Sequence, residues 1–147
     1  MSQFEDRLRA LGLDLPPAKA PVANYLGSKQ SGTLLFVSGR VSQLRGEVGT
    51  EVEVAAAVVA ARDTLLDILA IVKQDIGTLD RIASVERMQG FVRSAPTFTE
   101  HPRVIDGASD LLVAVLGEDG RHARTATGAA QLPFGAAVQL DLVLRLT

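Results

Sequence analysis

ASDLLVAVLGEDGRHARTATGAAQLPFGAAVQLDLVLRL, running from Ala108 to Leu146, is the stretch that decides the fold. Its last nine residues alternate without interruption. Val138, Leu140, Leu142, Leu144 and Leu146 fall on one side, and Gln139, Asp141, Val143 and Arg145 on the other. A period of two over that length predicts a strand with one buried face. Leu132-Pro133-Phe134-Gly135 is a turn before it, and His122 to Ala130 a strand of small residues before that. Upstream, Glu118-Asp119-Gly120 is a turn. Ala108, Leu111, Leu112 and Val115 recur at helical spacing, with Asp106 as the N-cap of the helix's main part and Gly117 as its stop.

Working outward, Ile82 to Arg93 mixes β-branched, apolar and charged residues in partial alternation and predicts another strand. Gly90 within it marks a bulge or a close backbone approach. Before it lies the element with the strongest pattern. Val54, Val58, Ala61, Leu65, Ile68 and Val72 form an apolar stripe on a long helix ending near Gly77, with Thr50 and Glu53 as its capping box. Thr33 to Ser38 is a short buried strand bounded by Ser31-Gly32 and Gly39, and Gly46 and Gly49 belong to the loop after it. The chain opens on a short helix. Ser2 and Glu5 cap it, Phe4, Leu8 and Leu11 share a face, and Gly12 stops it. Residues 15–22, with three prolines, make an extended connection.

The predicted order is helix, one or more strands, long helix, strand, helix, strand, strand. Two main helices can cover only one face of a mixed sheet, so the fold class is an α+β two-layer domain. At 147 residues it is read as a single domain, 1–147, with residues 1–24 as an N-terminal helix and connection. The second sheet face is neither apolar enough for a core nor charged enough for water, a combination that suits subunit contact.

Composition narrows the function classes. The net charge is −2 and the basic residues are dispersed, which disfavours nucleic-acid binding. There is no cysteine, hence no disulfide, thiolate nucleophile or cysteine-held metal. Two histidines without an HExxH pattern give no basis for a zinc site, and no cofactor motif is present. The first residues, MSQFEDRLRALG, carry acids and no apolar run, and no stretch reaches the roughly 18 apolar residues of a membrane span. The expectation is a soluble cytoplasmic protein.

The quoted segment resembles the end of the Rid (YjgF-type) family of reactive-intermediate deaminases, also labelled endoribonuclease L-PSP. In both, a helix and turn lead to a strand bearing an arginine, a small-residue stretch, a Leu-Pro turn and a closing strand. GRHARTATGAAQLP is similar to a longer branch with an extra N-terminal helix, and Val37-Ser38-Gly39 resembles the family's early strand end. The resemblance spans about residue 25 to the C-terminus. It implies a chorismate-mutase-like (bacillus-type) fold and a homotrimer with clefts between subunits. The implied reaction is hydrolysis of 2-imino or 2-aminoalkenoic acids to 2-keto acids and ammonia. It further implies a small carboxylated metabolite as ligand, with Arg124 holding its carboxylate and Ala126 contributing backbone. Tyr25 would wall the cleft, and Ser38 and Gly39 would floor it.

The family's water-handling glutamate on the last strand aligns here with Val143, which can neither take a proton nor orient water. Asp141 lies on the same strand face, about 6–7 Å along. Substrate-assisted hydrolysis and an acid such as Glu118 stay open, so no catalytic residue is assigned. His122, on the same strand as Arg124, is read as a hydrogen-bonded histidine rather than a proton carrier, and His101 as a surface residue. Two functions follow: an imine deaminase, and a non-catalytic trimer that binds or senses a 2-keto acid. Ribonuclease activity is disfavoured by the acidic chain and the lack of a paired-histidine arrangement.

Overall fold

The computed structural model describes residues 2–21 and 23–147. Met1 and Val22, the last residue of the expected extended connection, lie outside the described residues. The elements are α1 (Gln3–Ala10), β1 (Ser28–Ser31), β2 (Leu34–Val41), α2 (Val54–Ile76), β3 (Ile82–Arg93), α3 (His101–Leu116), β4 (Ala123–Ala129) and β5 (Val138–Leu146). They form one five-stranded mixed sheet in the order β1-β2-β5-β3-β4. β3 and β4 are parallel, with α3 as the crossover, and the other pairs are antiparallel.

The period-two reading of β5 holds in full. Val138, Leu140, Leu142, Leu144 and Leu146 are buried against the helices, while Gln139, Asp141 and Val143 are half-buried and Arg145 is exposed on the opposite face. β5 pairs with β2 on one side and β3 on the other, so it is central, and its leucines form the floor of the core. α2 and α3 lie over that floor against each other. They approach so closely that a Cβ added at Gly107 would sit 2.1 Å from the Val58 carbonyl oxygen. Gly90 is the expected close approach, since a Cβ there would meet Ile105 Cδ1 at 2.6 Å.

Two local expectations are corrected, and the strands before α2 number two. Thr50 does not cap α2; its hydroxyl donates to the Glu47 carboxylate at 2.9 Å, and Glu53 is the N-cap without a side-chain bond. Asp106 is no N-cap either. α3 starts at His101, where Pro102 in the first turn is pre-set for the helix, and Asp106 lies inside it. β1 is an additional strand. Ser31 and Leu34 pair across Gly32-Thr33, and the φ of +60° at Gly32 suits the tight turn.

The apolar stripe of α2 broadens toward its C-terminal half, where Leu66, Ala70 and Ile71 are buried as well. The N-terminal segment contributes to this burial. In α1, the Ser2 hydroxyl accepts from the Glu5 N–H at 3.1 Å, as expected of the cap. Phe4 and Leu8 are buried, whereas Leu11 is half exposed. The Asp80 carboxylate accepts from the Gln3 and Phe4 N–H groups, both at 3.0 Å, and Lys73 pairs with Glu5 at 3.1 Å. The extended chain after α1 then runs along α2, with Leu15 and Pro16 alongside Leu66 in a shared groove. No helix among the described residues is long and apolar enough to cross a membrane.

Candidate functional site

The candidate residues divide between two edges of the sheet. At the β2 end, β1 covers its neighbour only as far as Val37. The β2–β5 register then slips between Val37 and Arg40, a bulge that falls on Ser38-Gly39. Bulges bend a strand and re-aim its side chains. Here the bulge opens a cleft of about 800 Å³ lined by Tyr25, Gly39, Arg40, Arg45, Phe134 and Gln139, with Lys19 and Asp67. Ser38 braces the strand entering it. Its N–H donates to the Gly27 carbonyl at 2.9 Å and its hydroxyl to the Leu26 carbonyl at 2.6 Å. That hydroxyl is committed to the backbone, and Gly39 rather than Ser38 lines the cleft.

Phe134 at the cleft rim is 68% exposed and holds a left-handed backbone, φ +60°. A non-glycine residue in this conformation carries strain, and such strain clusters where side chains are presented to ligands. Tyr25 is also exposed at the rim. The carboxyl of Asp67 is pushed above the ordinary aspartate value by burial, despite the opposing charges of Lys19 and Arg40.

At the other edge, β4 places Arg124 on the side facing α3. Its Nη1 donates to Asp106 Oδ1 at 2.7 Å and to Ser109 Oγ at 3.2 Å, and Nη2 reaches the Pro102 carbonyl at 3.4 Å. Ser109 Oγ also lies 2.9 Å from His122 Nε2, and His122 Nδ1 lies 2.7 Å from the Gly120 carbonyl. A carbonyl only accepts, so Nδ1 carries the proton and, in the neutral ring, Nε2 accepts from Ser109. His122 is thus the hydrogen-bonded histidine expected, and its chain of contacts ends on Arg124. Sequence spacing gave no sign of the Asp106–Arg124 pair, because the two residues meet only when α3 folds over β4. His101 is not a simple surface residue. It is half-buried, 3.0 Å from Ser94 Oγ, and edge-on to Phe98 with centroids 5.2 Å apart.

Ala126 pairs with Gly90, Gly90 with Leu140, and Leu140 with Arg40, so Ala126 and Arg40 share one row three strands apart. Three inter-strand steps are about 14 Å. One chain therefore does not bring Arg124 and Ala126 together with Tyr25, Ser38 and Gly39 around a single small ligand.

Val143 lies opposite Phe36 and Arg87 on the open sheet face and does not line the cleft. Asp141, on the same face, pairs in register with Gln89, and burial pushes its carboxyl up against the lowering effect of Arg87. The residue of β5 that lines the cleft is Gln139. A Cβ built on Gly39 would lie 3.5 Å from its Nε2. An amide at that place can hold water or a ligand by hydrogen bonds but cannot accept its proton. Glu118 pairs with Arg121 at 3.2 Å and is exposed, outside the cleft. Among the described residues no group of three His, Asp or Glu side chains is placed to hold a metal ion.

Residues 5–145 match the family model described as "YjgF/chorismate mutase-like, putative endoribonuclease". The chain belongs to this YjgF (Rid) family. Protein TCP17 of Trypanosoma cruzi is 42% identical over 146 residues, covering 95% of this chain and 91% of its own. A crystallised protein of unknown function from Agrobacterium tumefaciens is 44% identical, with a TM-score of 0.92 over 99% of this chain and 93% of that one. A "putative endoribonuclease" from Shewanella oneidensis is 32% identical, with a TM-score of 0.94 over 99% of this chain and all (100%) of that one. The extra N-terminal helix and strap are thus matched along with the core in relatives of near-equal length. The YjgF/chorismate-mutase-like fold expected from the Ala108–Leu146 segment is the fold observed.

Proposed function

We propose that this YjgF-family chain is an imine/enamine deaminase. It would hydrolyse small 2-imino or 2-aminoalkenoic acids to 2-keto acids and ammonia, at clefts formed between subunits of a homotrimer. The observation that carries this reading is the separation of the two half-sites. Arg124 and Ala126 lie at the β4 edge, and Tyr25, Ser38 and Gly39 at the β2 end, about 14 Å apart. Only a neighbouring copy supplies one half to the other. In such a cleft the Arg124 guanidinium holds the ligand carboxylate, a fork matched to two oxygens. The protonated imine carbon is already electrophilic, so the site need only orient it and admit water, and Gln139 is placed to hold that water.

A second reading, a trimer that binds a 2-keto acid without turnover, is favoured by one observation. The β5 residue at the cleft is an amide, and the one carboxylate lining it, Asp67, is also the group that faces Lys19 and Arg40. The test uses 2-imino acids generated in situ by an amino-acid oxidase, with release of keto acid followed for wild type and Arg124→Ala. The deaminase reading expects acceleration by wild type and a loss of about 100-fold or more in the variant. Absence of acceleration, with carboxylate binding that still depends on Arg124, establishes the binding protein instead.

A further inference from the structure

The Gly39 cleft is unusual in charge. The chain as a whole carries −2, yet three cations, Lys19, Arg40 and Arg45, line this cleft against the single carboxylate of Asp67. Burial raises the Asp67 carboxyl above its ordinary value, and this one counter-charge faces both Lys19 and Arg40. A cleft of one sign with low-dielectric walls concentrates ligands of the other sign.

The arginines separate in the same way. Arg9, Arg62, Arg93, Arg103, Arg121, Arg124 and Arg145 each have a carboxylate within 4.0 Å. Arg7, Arg81 and Arg87 donate to a carbonyl or hydroxyl oxygen elsewhere in the fold. Arg40 spends Nη2 on the neutral Lys19 carbonyl at 2.9 Å, which holds the side chain in place without cancelling its charge. Among the arginines of the described residues, Arg45 alone makes neither an ion pair nor a side-chain hydrogen bond, and it lines the cleft. Its backbone is fixed by a bridge to Ala136, beside the strained turn that presents Phe134.

We infer that Arg45 and Arg40, assisted by Lys19, form a second anion subsite in this cleft, and that the ligand is a dicarboxylate. This rests on the proposed carboxylate cleft: Arg124 of a neighbouring copy takes the carboxylate beside the imine or keto carbon, and the arginine pair takes the one at the far end of the chain. Two planar forks suit a second carboxylate, and Tyr25 and Phe134 flank the short carbon chain between. The class is therefore the 2-imino or 2-keto dicarboxylic acids rather than their uncharged-tail counterparts.

The test is titration calorimetry with two stable ligands of equal carbon number, 2-oxoglutarate and 2-oxopentanoate, on wild type, Arg45→Gln, Arg40→Gln and Arg124→Ala. Wild type is expected to bind 2-oxoglutarate about tenfold tighter or better, and this preference should shrink with added salt. Arg45→Gln should bring the ratio of the two affinities toward one. Arg45 makes no side-chain hydrogen bond or ion pair among the described residues, so this variant stays interpretable if Arg40→Gln, which loses the Lys19 carbonyl, is destabilised. Equal affinities in wild type, with both ligands dependent on Arg124, overturn the second subsite and leave the carboxylate cleft standing. A preference that survives both arginine substitutions also overturns it. A preference that needs Arg45 but ignores Arg124 supports the subsite and overturns the cleft reading, and failure of both ligands to bind overturns both.

Discussion

At the scale of single residues, Arg124, the proposed carboxylate anchor, shows what a neighbour does to a charged side chain. Its guanidinium is about one-fifth exposed and already paired with Asp106 at 2.7 Å. An incoming carboxylate meets a cation whose field is partly cancelled, and it competes for the same nitrogen. Asp106→Asn keeps an oxygen to hold Nη1 but removes the opposing charge. The expected result is about threefold tighter carboxylate binding, the order expected of a half-exposed pair, with α3 still folded. Titration with 2-oxopentanoate checks it; weaker binding would show that Asp106 positions the arginine more than it competes. Arg124, Tyr25, Ser38 and Gly39 were singled out in the sequence as candidates through a family pattern. The Asp106 pair was not, since an aspartate ahead of an apolar helical run reads most simply as a cap. The competing signal was Pro102, which starts the helix a turn earlier. Val143 and Gln139 differ for a related reason. Alternation shows which face of β5 a residue joins, but only the bulge at Ser38-Gly39 decides which member of that face borders the cleft.

At the scale of elements, the long runs were legible and the shortest strand, β1, was not. β3 and β5 keep the boundaries read from their patterns, Ile82–Arg93 and Val138–Leu146, and α2 ends at Gly77 as expected. β1 escaped because Ser28–Ser31 contains no apolar residue; it is a strand only because β2 offers it a partner. The Thr50–Glu53 box matched a capping motif, but Glu47 lies closer to the threonine hydroxyl and takes it. Helix contact gives a prediction whose sign opposes local propensity. Replacing a mid-helix glycine with alanine ordinarily stabilises by about 1 kcal/mol. At Gly107 the new methyl would meet the Val58 carbonyl at 2.1 Å, and backbone cannot swing aside as a side chain can. Gly107→Ala is therefore expected to destabilise by about 1–3 kcal/mol through overpacking of α2 on α3, read by urea denaturation. A stabilised variant would mean that the two helices separate freely.

At the scale of the whole molecule, the sheet is covered on one face only. The open face carries Phe36, 48% exposed, beside Val143 and Arg87, with the half-buried Asp141 in the next row. The elevated Asp141 carboxyl belongs to a surface that is already poorly solvated before any partner arrives. In the proposed trimer, burying that face between copies would bring the β4 edge of one chain to the β2 cleft of another. The expected mass in solution is that of three protomers. Val143→Arg puts a second cation beside Arg87 on the face and should yield monomers with an unchanged circular dichroism spectrum, since Val143 supports no helix. Light scattering on the two proteins decides it; a wild-type monomer at micromolar concentration would remove the interfacial site altogether.

The sequence alone determined the two-layer fold and the buried face of each long element. These depend on periodicity and local order, which are written along the chain and survive without knowledge of any partner. Tertiary structure alone decided what surrounds each of those residues. It set Asp106 and Ser109 on Arg124, put Gln139 rather than Val143 at the cleft, and left Arg45 unpaired beside Arg40. The contacts of Arg124 and Gln139 join residues from 15 to about 100 positions apart. Their geometry comes from a bulge, a crossover helix and a strained turn, and no local pattern encodes where those three meet.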